Sequence, residues 1–148
     1  MTRVIRTGVL LALLASALAV PSAASATPAS GALNAVNFVR ARHHMRALRF
    51  SRTLQRSARR YARHLMHSGY FGHASRIHAS RRFHMLGECL ELHRGRPSVR
   101  RAVLDWLHSP AHRAILLSRR FRFAGVGLAT GRFHGHRSTI WVMHFGRR

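Results

Sequence analysis

The chain has 148 residues, which is enough for one domain with a single hydrophobic core and too few for two. It has 26 arginines, no lysine and only three acidic residues, giving a formal net charge of +23 at pH 7. The lone cysteine, Cys89, excludes an intrachain disulfide, so the fold must depend on its core. Cys89 should be either a small buried apolar residue or a site of dimerisation.

The first 26 residues are typical of a secretory signal peptide. MTRVIRT carries two arginines, residues 8–20 form a mostly apolar run of 13, and ASA at 24–26 offers a cleavage site. The run is shorter than the roughly 20 residues that span a bilayer, although an uncleaved anchor is the alternative. We therefore expect a mature chain that begins near Thr27, lacks a transmembrane segment, and is secreted or associated with the cell envelope.

Residues 27–32, TPASGA, predict a short linker, so the domain should occupy residues 33–148. From Leu33 the apolar residues recur three apart, which predicts a first helix to about His44. Ser51 should cap a second helix that ends near Ser68-Gly69.

Residues 70–86 have no clean period and predict a long loop. A third helix should begin near Pro97 and end near His108, because the residue before a proline avoids the helical region. Ser109 and Pro110 then suit the N-cap and first position of a new short helix.

The last quarter of the chain is rich in β-forming residues. Residues 123–129 and 138–145 predict two strands, and the glycines of GRFHGHR between them suit a hairpin connection. Helices followed by a terminal hairpin predict an α+β domain, with the helices packed on an antiparallel sheet.

Several catalytic and metal-binding signatures are absent from the sequence, among them HExxH, CxxC, GxSxG and the P-loop. His108 and His112 are four apart, which on one continuous helix would suit a metal, but the break at Ser109-Pro110 removes that geometry. No nucleic-acid recognition motif is present, so no specific nucleic-acid binding is predicted.

The arginine content has two interpretations. It can attract anionic polymers of the cell envelope, since many like charges act together. It can also reflect codon bias, because arginine replaces lysine completely and many arginines fall on polar helix faces.

Six segments, in order, resemble the CAP superfamily (the SCP-like extracellular domain) in its short bacterial branch. The resemblance runs from about Leu33 to Gly146, and its most specific part is WLHSPAHR, residues 106–113, which is similar to that branch's W-x-x-SP-x-HR. The resemblance is also carried by three further elements: Phe71-Gly72-His73, the Gly87-Glu88 pair and the closing GVG…W…FG.

This resemblance implies an α/β/α sandwich with a central antiparallel sheet flanked by helices, and a cleft lined by two histidines and acidic groups. Carried over by motif, the cleft residues are His73, Glu88 and His112. His73 and His112 would be the ligands of zinc or another divalent metal, and Glu88 would ligate or orient a water. Cys89 stands where the family usually has asparagine, and Asp105 is the only acid near the tryptophan helix.

The sequence favours a monomeric protein that binds a metal ion, a small ligand or an envelope component in this cleft. One alternative is metal-assisted hydrolysis of a peptide or envelope substrate, with Glu88 as the candidate catalytic base, since no nucleophile is recognisable. Another is adhesion of the arginine-rich surface to anionic envelope polymers, with an inactive cleft. A third is purely structural: a hydrogen bond from Glu88 to His112 would tie the Gly87-Glu88 turn to the short helix.

Overall fold

A computed structural model describes residues 27–148, and the predicted signal peptide, residues 1–26, lies outside the described residues. Within them the elements follow in the order α1 (Pro28–Arg42), β1 (Arg49–Phe50), α2 (Arg52–Ser68), β2 (Met85–Arg94), α3 (Val99–His108), α4 (Pro110–Leu116), β3 (Phe123–Phe133) and β4 (His136–Arg147).

The four strands form one sheet in the order β1-β3-β4-β2. Strands β3 and β4 make the predicted hairpin, and its two-residue turn has positive φ at His134 (48°) and Gly135 (80°). Positive φ at both central positions is the signature of the type I′ turn that suits strand twist. Strand β2 pairs antiparallel with β4, which sets Glu88 opposite His144.

The helices cover both faces of this sheet, which confirms the predicted α+β sandwich. One face packs on α2 through an apolar cluster that includes Ala58, Leu65 and Val142. The other face packs on α1, α3 and α4 through a larger cluster around Trp106 and Trp141. One departure from a purely antiparallel sheet is β1, whose two residues pair in parallel with β3.

Two glycines of β3 allow α2 to lie unusually close to the sheet. A Cβ added at Gly125 would collide with the backbone of Gln55, and one at Gly127 with the backbone of Arg59. Because only a hydrogen occupies each position, the helix backbone rests directly on the strand. This contact fixes the distance of α2 from the sheet. It therefore also fixes the position of the side chains that α2 directs toward the edge of the sheet.

Helix α2 has the predicted boundaries: the Ser51 side chain caps its first turn, and Gly69, at φ 66°, ends it in the left-handed conformation. The predicted break between α3 and α4 is also confirmed, with Ser109 extended and Pro110 at the first helical position. The side chain of Ser109 makes no capping hydrogen bond. This junction places His112 in the first turn of α4.

Two local predictions were wrong. Residues 28–32 are not a linker: they form the first turns of α1, Thr27 caps that helix, and Ala32 is fully buried. Nor do Gly87 and Glu88 form a turn, because both lie in strand β2. The first two residues of this strand, 85 and 86, were predicted to belong to the loop at 70–86.

Candidate functional site: a histidine–glutamate cleft

Glu88 is the centre of the candidate site. Its Oε1 accepts hydrogen bonds from Nδ1 of His73 at 2.8 Å and from the backbone N–H of Ala74 at 3.0 Å. Its Oε2 accepts from Nε2 of His144 at 2.8 Å. The side chain is only 5% exposed. Glu88 therefore holds the loop at residues 73–74 and strand β4 together through one buried carboxylate.

The hydrogen bonds decide the charge state of Glu88. Burial alone would raise the pKa of Glu88, but hydrogen bonds from His144, the Ala74 N–H and His73, with the charge of His144, lower it below its ordinary value. The carboxylate is thus ionised at neutral pH. A lowered pKa and two occupied oxygens make it a weak general base, which argues against its predicted role as a catalytic residue.

His73 lies on the loop that follows α2, and its position is set by a neighbouring contact. The hydroxyl of Tyr61, on α2, donates to the carbonyl oxygen of Gly72 at 2.7 Å. Because Glu88 accepts from Nδ1 of His73, the neutral form of this ring has its lone pair on the other nitrogen, Nε2. The hydrogen bonds of residues 27–148 include none to that Nε2, and the side chain is 61% exposed.

His112 lies beside His73. The two ring centroids are 5.9 Å apart with an interplanar angle of 60°. Burial lowers the pKa of His112, and the charge of His73 lowers it further, outweighing the opposite effect of Glu88. His112 is therefore neutral at physiological pH and able to offer a lone pair.

The predicted structural hydrogen bond between Glu88 and His112 is not formed. The hydrogen bonds of Glu88 go to His73, Ala74 and His144 rather than to His112. Strand β2 contacts α4 instead through Cys89, whose Sγ lies 3.8 Å from the carbonyl oxygen of His112. Cys89 is fully buried, which supports the small buried apolar residue over the dimerisation site.

His144 is a site residue that the sequence analysis missed. It is 1% exposed, and its Nδ1 is buried without a hydrogen-bond partner in the described part of the chain. It follows Ile140 and Val142 on the same face of β4, so the alternation of the strand indicated a buried histidine. A buried histidine needs a polar partner, and that requirement was the available signal.

A cleft of about 530 Å³ opens between α2 and the loop that carries His73. Its lining is strongly basic and polar, and no carboxylate is among the residues that form its wall. They are Ser57, Arg60, Tyr61, His64, Tyr70, His73, Ala74, Ser75, Arg76, His78 and His144. Of the three predicted cleft residues, only His73 lines this cleft. Glu88 is hydrogen-bonded to two of the wall residues, His73 and His144, and His112 contacts His73 without lining the cleft.

Asp105 does not supply a second carboxylate to the cleft. It lies on α3, on the opposite face of the sheet, where its Oδ2 is 3.6 Å from Nε of Arg101. Its charge also acts on Glu91: burial raises the pKa of Glu91, and Asp105 raises it further, while His93 lowers it. A site with two histidines and two acids is therefore not formed.

A divalent metal in this cleft would be held by the two histidines alone. No group of three metal-ligating side chains converges within residues 27–148. Two imidazoles on one tetrahedral zinc have centroids about 5 Å apart, close to the separation of His73 and His112. Glu88 bonded to Nδ1 of His73 is the usual arrangement of a carboxylate that orients a metal-binding histidine. Water or a ligand would complete the coordination.

The fold and this cleft define a class: an α/β/α sandwich with a histidine–glutamate site at one edge of its sheet. The profile of the CAP family, described as the cysteine-rich secretory protein family, matches residues 33–145. The chain belongs to this family. A search of curated proteins found no match.

Solved structures of low sequence identity share the fold. An extracellular protein containing an SCP domain from Bacillus anthracis str. Ames has a TM-score of 0.66 and 22% identity, over 82% of this chain and 40% of that one. An outer surface protein from Borrelia burgdorferi also has a TM-score of 0.66 and 22% identity, over 78% and 89%. Venom allergen-like protein 4 from Schistosoma mansoni has a TM-score of 0.63 and 12% identity, over 80% and 87%.

The chain thus spans about two fifths of the Bacillus anthracis protein. Among the helices of residues 27–148, none combines the length and apolar character needed to cross a membrane.

Proposed function

We propose that this CAP domain acts by binding, with His73 and His112 as ligands of a divalent metal ion such as zinc. One observation carries the proposal. Glu88 fixes the proton of His73 on Nδ1, which leaves Nε2 free beside the neutral ring of His112. Two imidazoles with available lone pairs are the ligands that zinc prefers among nitrogen donors.

The proposal favours binding over catalysis. A hydrolase would need Glu88 to take a proton from water, yet the carboxylate is buried and engaged by three donors. The extracellular and outer-surface descriptions of the Bacillus and Borrelia proteins support a place outside the cytoplasm, as does the predicted signal peptide.

Zinc titration by calorimetry tests the proposal. At pH 7.5 we expect one zinc ion per chain, with binding reduced at least about tenfold in His73→Ala and in His112→Ala, because each removes one of two protein ligands. Affinity should fall as the pH drops below the ordinary histidine value of about 6.5, because the lowered pKa of His112 moves its protonation to more acidic pH and the protonated ring cannot bind a metal.

Matched controls separate this site from the many other histidines. His43→Ala and His67→Ala remove exposed histidines outside the cleft and should leave the zinc affinity within about twofold of the unmodified protein. The proposal is refuted if zinc does not bind, or if the control variants lose as much affinity as the cleft variants.

A further inference from the structure

A second concave site lies in the other layer of the sandwich, away from the histidine cleft. It is a cavity of about 250 Å³ whose lining is four arginines: Arg40, Arg46, Arg119 and Arg122. We call it the arginine pocket. It lies between the end of α1 and the segment that joins α4 to β3, whereas the histidine cleft is built on α2.

Arg40 makes this pocket a built feature rather than a chance meeting of surface side chains. It is only 1% exposed. Its Nε donates to the carbonyl oxygen of Arg46 at 3.0 Å, and its Nη1 donates to those of Leu116 and Ser118. These bonds fix the plane of the guanidinium through its Nε and Nη1 donors. The hydrogen bonds within residues 27–148 include none from its Nη2.

The four positive charges have no acidic partner in the described domain. The only arginine ion pair there joins Arg101 to Asp105 on α3. Burial lowers the pKa of Arg40, and the charges of Arg122 and Arg119 lower it further, so these guanidinium groups are close enough to repel one another. An anion in the pocket would relieve this repulsion.

From this geometry we infer that the arginine pocket binds a phosphate group. Guanidinium groups pair with phosphate oxygens through two parallel charge-assisted hydrogen bonds, and several arginines can share one multiply charged group. The cavity is smaller than the roughly 300–1,000 Å³ of sites for drug-sized ligands, so it suits a phosphate head rather than a large organic molecule. The phosphate belongs either to a free small anion or to a linear polymer of phosphate groups.

The test uses the exposed arginines of the pocket, because Arg40 also holds the end of α4. Arg119→Gln/Arg122→Gln removes two charges from the pocket and is compared with Arg63→Gln/Arg100→Gln, which removes two from exposed positions of α2 and α3. Both variants therefore have the same net charge. Thermal unfolding of each variant checks that the fold is retained.

Calorimetric titration with inorganic pyrophosphate at low salt should show saturable binding to the unmodified protein. We expect the pocket variant to bind at least about tenfold more weakly and the control variant to stay within about twofold. Equal weakening in both variants, or no saturable binding, overturns the proposal, because binding would then depend on net charge alone.

A second titration, with long-chain inorganic polyphosphate, distinguishes the two sources of the phosphate. Tighter binding per site than pyrophosphate, with the same sensitivity to the pocket variant, supports a polymer. Binding no tighter than that of pyrophosphate supports a free anion. Zinc affinity should be unchanged in the pocket variant, so failure here is separable from failure of the histidine site.

Discussion

Replacing Glu88 with alanine should destabilise the fold by about 2–6 kcal/mol. The substitution leaves two buried donors without an acceptor, Nε2 of His144 and the N–H of Ala74, and each unsatisfied buried group costs about 1–3 kcal/mol. The third donor, on His73, adds little, because that side chain is 61% exposed and water can replace the bond. Small domains have only about 5–15 kcal/mol of net stability, so the loss is large.

Urea denaturation at pH 7 measures the free energy of unfolding of Glu88→Ala, Glu88→Gln and the unmodified protein. Glutamine keeps the shape of the side chain and one carbonyl oxygen, so we expect it to cost about 1–2 kcal/mol, less than alanine. Arg63→Gln, at an exposed position of α2, is the control: this change should stay within about 0.5 kcal/mol.

The pH dependence gives a second measure of the same carboxylate. The folded-state pKa of Glu88 is lowered, so its stabilising contribution is present above the ordinary value of about 4.3 and is lost as the pH falls through the folded-state value. The difference in unfolding free energy between the unmodified protein and Glu88→Gln should therefore narrow below about pH 4. A loss under about 1 kcal/mol for Glu88→Ala at pH 7, or a difference that does not narrow in acid, would refute this account.

Two further predictions concern packing. Gly127→Ala should destabilise the fold by about 1–3 kcal/mol or more, since the new methyl group meets the backbone of Arg59. Gly31→Ala, within α1, should stabilise the fold by about 0.5–1 kcal/mol, since the new methyl group makes an ordinary 3.5 Å contact with Val99 of α3. Urea denaturation of both variants checks this, and equal effects would contradict it. Burial strongly raises the pKa of the Cys89 thiol, so an aromatic disulfide reagent should label it only after unfolding in guanidinium, and rapid labelling of the native protein would show that the thiol is accessible.

Local signals in the sequence were enough to place the helices that frame the site. Ser51 and Gly69 mark the ends of α2, and Ser109-Pro110 separates α3 from α4, because capping residues and proline act within a few positions of the chain. The hairpin of β3 and β4 was predictable for the same reason. Its turn glycine and flanking β-branched and aromatic residues are adjacent in sequence.

The parts that were missed depend on contacts between distant segments. Strand β2 was hidden because it carries Glu88 and Glu91, and such charged residues are uncommon inside a sheet. The two acids are tolerated because each has hydrogen-bond donors. Strand β4 and the loop at His73 supply the donors to Glu88, and His93 donates to Glu91. The partnership of Glu88 with His144 follows from strand register, which the sequence did not specify.

Strand β2 also forms one edge of the sheet, and it points a buried carboxylate to each face: Glu88 toward α2 and Glu91 toward α3. A foreign strand docking along that edge would have to set its own side chains next to these acids, whose histidine partners lie within the domain. Inward-facing charges are one way in which natural sheets avoid fibrous self-association. The two acids that organise the interior thus also make this edge of the sheet unfavourable for the addition of a foreign strand.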